Sequence, residues 1–229
     1  MFGNKEMKIE NVLSDGIGSI ELVEHLGNDL SIVSAARVSY NSSSKGEEAD
    51  KKLLKYLWVN KHTSPFEMCS FKVIIKCPLF VAAQIFRHRT FSYNSISRRY
   101  TSEDIEFYFP KEWRLQDIKD KQGSLVDRFD NASNNYWNEQ MRIQIQNSID
   151  LYNEMLDDNV AREQARMVLP QNLYTKFVMF GNLRNWLHFC ELRSDSHAQW
   201  ETRQYSDAIL HKIIANLYPE TYRIVMESK

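Results

Sequence analysis

The sequence is poor in residues that interrupt regular structure: seven glycines and five prolines among 229 residues exclude a collagen-like, linker-rich or low-complexity chain. Its three cysteines, Cys69, Cys77 and Cys190, form no C-x-x-C pair, the pattern of neither a disulfide framework nor a zinc site, and point to a reducing compartment. There is no H-E-x-x-H and no short His/Cys cluster, so no metal is expected. Net charge is almost absent, with 29 Lys plus Arg against 30 Asp plus Glu, and such a molecule has no overall field that would hold a polyanion. Any anion site must be local. The longest near-apolar stretch, Pro78 to Phe86, is far too short to span a membrane, and Met1 to Val12 lacks the apolar core of a signal peptide. A cytoplasmic protein without a membrane partner is expected.

What is present is a chain with 43% hydrophobic and 26% charged residues, long enough for one sizeable core and read as a single domain over 1–229. Ser19 to Leu26 reads as an early strand and Asp29 to Tyr40 as a short helix. A helical run follows with Leu53, Leu54, Leu57 and Trp58 on one side. From Phe66 to Cys77 apolar residues alternate with Ser70, Lys72 and Lys76, which predicts a half-buried strand ended by Pro78. Pro78 can open the next helix, Leu79 to Phe86, and Arg87 to Tyr100 reads as a hydroxyl-rich loop. Lys111 to Asp130 resembles a polar insertion. After it Met141, Ile145, Ile149, Tyr152 and Leu156 mark a long helix. Asp157, Asp158 and Asn159 are cap candidates for a helix through Ala161 to Val168. Leu173 to Phe180 is read as a strand, Asn182 to Leu192 as a helix, and Ser196-x-x-Gln199 as a capping box before a last helix. Strands and helices without regular βαβ alternation predict an α+β fold with a mainly antiparallel central sheet flanked by helices.

The chemistry concentrates between Met68 and Ser102, where Lys72, Lys76, Arg87, Arg89, Arg98 and Arg99 occur without one Asp or Glu. Arginine forks bind phosphate with directed hydrogen bonds, and Ser92, Asn94, Ser95 and Ser97 add neutral donors. A solvated basic face is the ordinary explanation of such a run. Here Phe91, Tyr93, Ile96 and Tyr100 are interleaved as anchors, which favours binding of a phosphorylated small molecule. A basic, aromatic-interleaved nucleic-acid-binding loop is the alternative, although the rest of the chain is not basic.

Arg87-His88-Arg89, seven residues and then Ser97, in the string RHRTFSYNSISRRY, resembles the R-H-R-x7-S signature of the flavin-dependent thymidylate synthases. The resemblance extends through His62-Thr63-Ser64-Pro65-Phe66-Glu67, Ala165 to Pro170, Asn172 to Thr175, Asn182-Leu183-Arg184 and Leu192 to Glu201, in the family's order and over most of the chain after residue 62. It implies transfer of a methylene from methylenetetrahydrofolate to dUMP, with hydride passing through FAD from NADPH, in a homotetramer with shared sites. It also implies that Gln84, Arg87, Ser95, Ser97, Arg98, Arg99, Arg166 and Arg193 hold dUMP. Ser64, Arg87, His88, Arg89, Asn182, Arg184 and His188 would hold FAD. Ser95 stands where the family often carries an acid, and Arg98 where a small residue is usual, so the implied phosphate contact there is through a backbone N–H. A flavin reductase without methyl transfer is the other reading.

The residue types suit that chemistry. Uracil C5 is a weak nucleophile, and attack is helped by a fixed guanidinium that stabilises negative charge at N3 and O2, a role assigned to Arg193. Two unit charges ~4 Å apart interact by about 4 kcal/mol at an effective dielectric of 20. A flavin carries the hydride chemistry, so the protein needs no attacking side chain. Cys77-Pro78 invites comparison with the cysteine-dependent thymidylate synthases, but the residue order is reversed and Cys77 falls on the apolar face of its strand. Trp186, Trp200 and Tyr205 are assigned to the core.

Overall fold

The computed structural model describes residues 7–39, 41, 46–97, 105–119 and 123–228. In chain order the elements are β1 (Met7–Glu10), β2 (Ser19–Leu26), α1 (Asp29–Val38), α2 (Glu47–Val59), β3 (Ser70–Pro78), α3 (Leu79–Ile85) and β4 (Ser92–Ser95). There follow β5 (Arg114–Gln116), β6 (Ser124–Arg128), α4 (Asn131–Asp157), α5 (Arg162–Ala165), β7 (Tyr174–Asn182), α6 (Leu183–Arg193), α7 (Trp200–Ala208), α8 (Ala215–Leu217) and α9 (Pro219–Glu227). Five strands form one antiparallel sheet in the order β1-β2-β3-β7-β4, as the α+β expectation required.

The sheet has one apolar face because β3 and β7 alternate in phase. Ile75 lies opposite Phe177, Val73 opposite Met179 and Phe71 opposite Gly181. Of these, Phe71, Val73, Ile75 and Met179 are completely buried. Helices cover this face, and Phe71 stacks on Trp186 of α6 with ring centroids 4.4 Å apart. The other face carries Lys72, paired with Glu24, and Lys76, paired with Glu106. A second apolar cluster, with Phe107, Ile145, Tyr152, Ala165, Leu169 and Leu173 at its centre, lies against α4.

Several boundaries differ from the expectations, each for a local reason. The third strand begins at Ser70, because Ser64–Met68 is a 3-10 turn with Pro65 in its first turn. Within the expected loop, Ser92–Ser95 pairs with β7 as an edge strand. The polar insertion contains the two-stranded ribbon β5–β6. Asp157, Asp158 and Asn159 do not cap α5: Asn159 takes a left-handed φ of 62° and the N-cap is Ala161. The Ser196-x-x-Gln199 capping box does not form either, because Gln199 is itself the N-cap and its side chain bonds elsewhere. No helix among the described residues is long and apolar enough to cross a membrane.

Candidate functional site

The basic triplet follows α3 in a turn that is pinned from several sides. His88 N–H donates to Ile85 O at 3.0 Å, and the Tyr93 hydroxyl lies 3.0 Å from Ile85 O and 2.9 Å from His88 O. Asn185 of α6 donates to Thr90 O at 3.1 Å. Phe91 enters the core edge-on to Trp186, with centroids 4.6 Å apart. It lies so close to Gly181 that a Cβ there would meet its ring at 2.4 Å, so glycine is required by close approach. The turn places Arg87 and Arg89 in solvent and His88 inside.

Arg193, the last residue of α6, brings together Gln84, expected at dUMP, and His88, expected at FAD. Its Nε donates to His88 Nε2 at 2.9 Å, Nη1 to Gln84 Oε1 at 3.2 Å and Nη2 to Gln84 O at 3.2 Å. Among the described residues three of its five N–H bonds are thus committed, leaving two for a ligand. Burial, then the charge of Arg87, lower the Arg193 pKa. His88 must present a bare Nε2 to accept from a guanidinium, which fixes its proton on Nδ1. Burial above all, with the charges of Arg193 and His188, pushes the His88 pKa from 6.5 down to about 4. The unfolded chain takes up this proton near pH 6.5 and the folded chain only near 4, so the unfolded state binds more protons in that window and stability falls as pH falls. Melting temperatures between about pH 7 and pH 4.5 should therefore drop more steeply for the parent than for His88→Gln. Parallel slopes would contradict the assignment.

The flavin-assigned segments also meet. Arg184, exposed at the start of α6, pairs with Glu67 of the 3-10 turn at 2.8 Å, and that turn begins at Ser64, also exposed. The Asn182 side chain caps α6 by accepting from Asn185 N–H at 2.9 Å. Asn185 in turn ties α6 to the basic turn. Exposed cations at Arg87, Arg89 and Arg184, with His188 one turn further along α6, suit an anionic, polar-edged cofactor.

Of the remaining residues, Ser95 is exposed on β4 opposite Phe177, and Ser97 follows the strand half-buried. Arg98 and Arg99 lie outside the described residues. Arg166 is exposed on a 3-10 turn, with its Nε donating to Glu163 O at 3.3 Å. Trp186 and Tyr205 are fully buried, whereas Trp200 is half-buried beneath the Arg114 guanidinium, 5.0 Å from the ring centroid. Cys77 is completely buried, and burial raises its thiol well above the ordinary range, unlike a reactive cysteine.

A cleft of about 620 Å³ opens nearby, walled by Phe80, Tyr108, Arg114, Gln199 and Glu201 among others. Arg87, His88 and Arg193 are not in its lining, and the Gln84–Gln199 hydrogen bond links it to their cluster. Gln199 and Glu201 went unassigned in the sequence, although both stand in the Leu192 to Glu201 block.

Residues 21–220 match the family model described as thymidylate synthase complementing protein. The chain is 43% identical over 205 residues to a flavin-dependent thymidylate synthase of Thermotoga neapolitana, covering 90% of this chain and 89% of that protein. It is 46% identical over 195 residues to one of Thermus thermophilus, covering 84% and 70%. Among solved structures, a UMP/dUMP methylase, PolB, from Streptomyces cacaoi bound with 5-Br dUMP matches with a TM-score of 0.83 at 28% identity, covering 91% of this chain and 94% of that one.

Proposed function

The chain belongs to the flavin-dependent thymidylate synthases, FAD-dependent methyltransferases that act on dUMP, and from that premise we propose which of its residues carry the reaction. Arg193 binds the uracil ring and stabilises the charge that develops there as C5 attacks, with the two N–H bonds left over from its anchors. Gln84 and His88 hold that guanidinium from two sides. Arg87, Ser95, Ser97, Arg98 and Arg99 complete the dUMP set around the basic turn. The observation that carries this reading is the clamping of Arg193 by three acceptors, which fixes its direction before substrate arrives.

The FAD set is Ser64, Arg87, His88, Arg89, Asn182, Arg184 and His188; His88 and Asn182 serve it chiefly by fixing the turn and the start of α6. The flavin supplies hydride transfer when bound. The carbon donor is methylenetetrahydrofolate and the reductant NADPH. The working form is a homotetramer with shared sites, as the family resemblance implies, and exposed Arg166 adds a further dUMP contact. The protein acts as a single domain in the cytoplasm, without nucleic acid.

The test is formation of dTMP from dUMP with FAD, NADPH and methylenetetrahydrofolate, using the parent and Cys77→Ala side by side. Both should bind FAD, seen as a perturbed flavin spectrum, and both should form dTMP at comparable rates. FAD-dependent NADPH oxidation without dTMP would establish a reductase instead. Loss of dTMP formation in a folded Cys77→Ala that still binds FAD and dUMP would establish a thiolate mechanism.

A further inference from the structure

Gln84 is itself held from behind. Its Nε2 donates to Gln199 Oε1 at 3.2 Å, and Gln199 Nε2 donates to Glu201 Oε2 at 3.2 Å. Glu201 is only 4% exposed, and its other oxygen accepts from Arg114 Nη2 at 2.6 Å and from the Tyr108 hydroxyl at 3.4 Å. Read from the site outward, each donor points the same way: Arg193 N–H to the Gln84 carbonyl, Gln84 N–H to the Gln199 carbonyl, Gln199 N–H to the Glu201 carboxylate. A guanidinium donates only, and a carboxylate accepts only. Inverting either amide would set N–H against N–H or oxygen against oxygen somewhere in the row. The charged ends therefore fix the direction of both side chains between them.

We infer that Gln199 and Glu201 are positioning residues for the methyl-transfer site, a fixed anion that orients the Gln84 amide and through it the Arg193 guanidinium. This rests on the assignment of Arg193 to the uracil ring. Neither residue needs to touch dUMP. Their effect is to keep the Gln84 carbonyl, rather than its NH₂, toward Arg193.

The experiment is a double-mutant cycle between Gln199→Met and Arg193→Ala, read as turnover at saturating dUMP with folate, NADPH and FAD in excess. Gln199 is half-buried, and Met keeps its length while removing both hydrogen bonds. A thermal melt checks that each variant is folded. Gln199→Met alone should lower turnover about tenfold, the scale of one lost hydrogen bond, with a smaller change in the dUMP KM. In the Arg193→Ala background it should have almost no further effect, because groups acting through one another are not additive. Gln199→Glu should not restore turnover, since it places a second carboxylate against Glu201. A factor for Gln199→Met that is unchanged in the Arg193→Ala background, or no effect in either, overturns the inference. Full turnover by Arg193→Ala itself would instead overturn the assignment of Arg193.

Discussion

Arg193→Ala is expected to lose about 10²–10³ in turnover even when dUMP saturates, the usual cost of removing one donor aimed at developing charge. Three anchored N–H bonds make this guanidinium a fixed group, and a fixed charge stabilises a transition state without reorganising at the moment of reaction. Arg166 offers the contrast. It is exposed and bonded only to a backbone oxygen among the described residues, as suits a phosphate contact. Arg166→Ala should raise the dUMP requirement and leave saturated turnover nearly intact. Flavin binding should survive in both variants. If Arg193→Ala shows only a raised dUMP requirement, both arginines are binding residues and the catalytic role is wrong.

The largest stability effect is expected at Trp186. Its indole is completely buried, stacked on Phe71 at 4.4 Å and met edge-on by Phe91 at 4.6 Å and Phe189 at 5.9 Å. Its Nε1 donates to Phe71 O at 3.3 Å. Trp186→Ala removes the floor under Phe91, and Phe189, which packs edge-on against the His88 ring, loses its neighbour as well. Truncation of a buried aromatic of this size costs about 3–5 kcal/mol, a large share of the stability of a domain. Urea titration should show a lower transition midpoint with the slope unchanged, the midpoint shift multiplied by the slope giving that loss. A loss below about 1 kcal/mol would mean that the cavity collapses around the missing ring.

The sequence disclosed most readily what repeats with a period. Phe71, Val73, Ile75 and Cys77 announced β3 by alternation, and the long helix was marked by Ile145 and Tyr152, both buried against the second cluster. The edge strand Ser92–Ser95 was hidden because its residues are polar and its pairing depends on β7, far along the chain. The capping box failed for a related reason: Gln199 has the right identity and spacing, but tertiary partners claim its side chain. The candidate site residues were named through the resemblance carried by the motifs. Their hydrogen bonds were not legible, because Arg193 ends α6 whereas Gln84 and His88 lie in and just after α3, far away along the chain. Gln199 and Glu201 stood in plain view inside a recognised block, and nothing in their identity told that Gln199 meets Gln84 and Glu201 meets Gln199.

The register of β3 on β7 carries a consequence for how the molecule comes into being. Ser70 pairs with Asn182 and Pro78 with Tyr174, so the middle of the sheet joins two stretches of chain that leave the ribosome far apart in time. The basic turn follows shortly after the first stretch, and Arg193 ends the helix that begins directly after the second. On a nascent chain the turn emerges long before its anchor, and Phe91 has neither Gly181 nor Trp186 to lie against. Closing so distant a pair is entropically costly and intrinsically slow. The binding surface is therefore among the last features to be completed, and a chain halted before residue 193 carries the signature motif without a site.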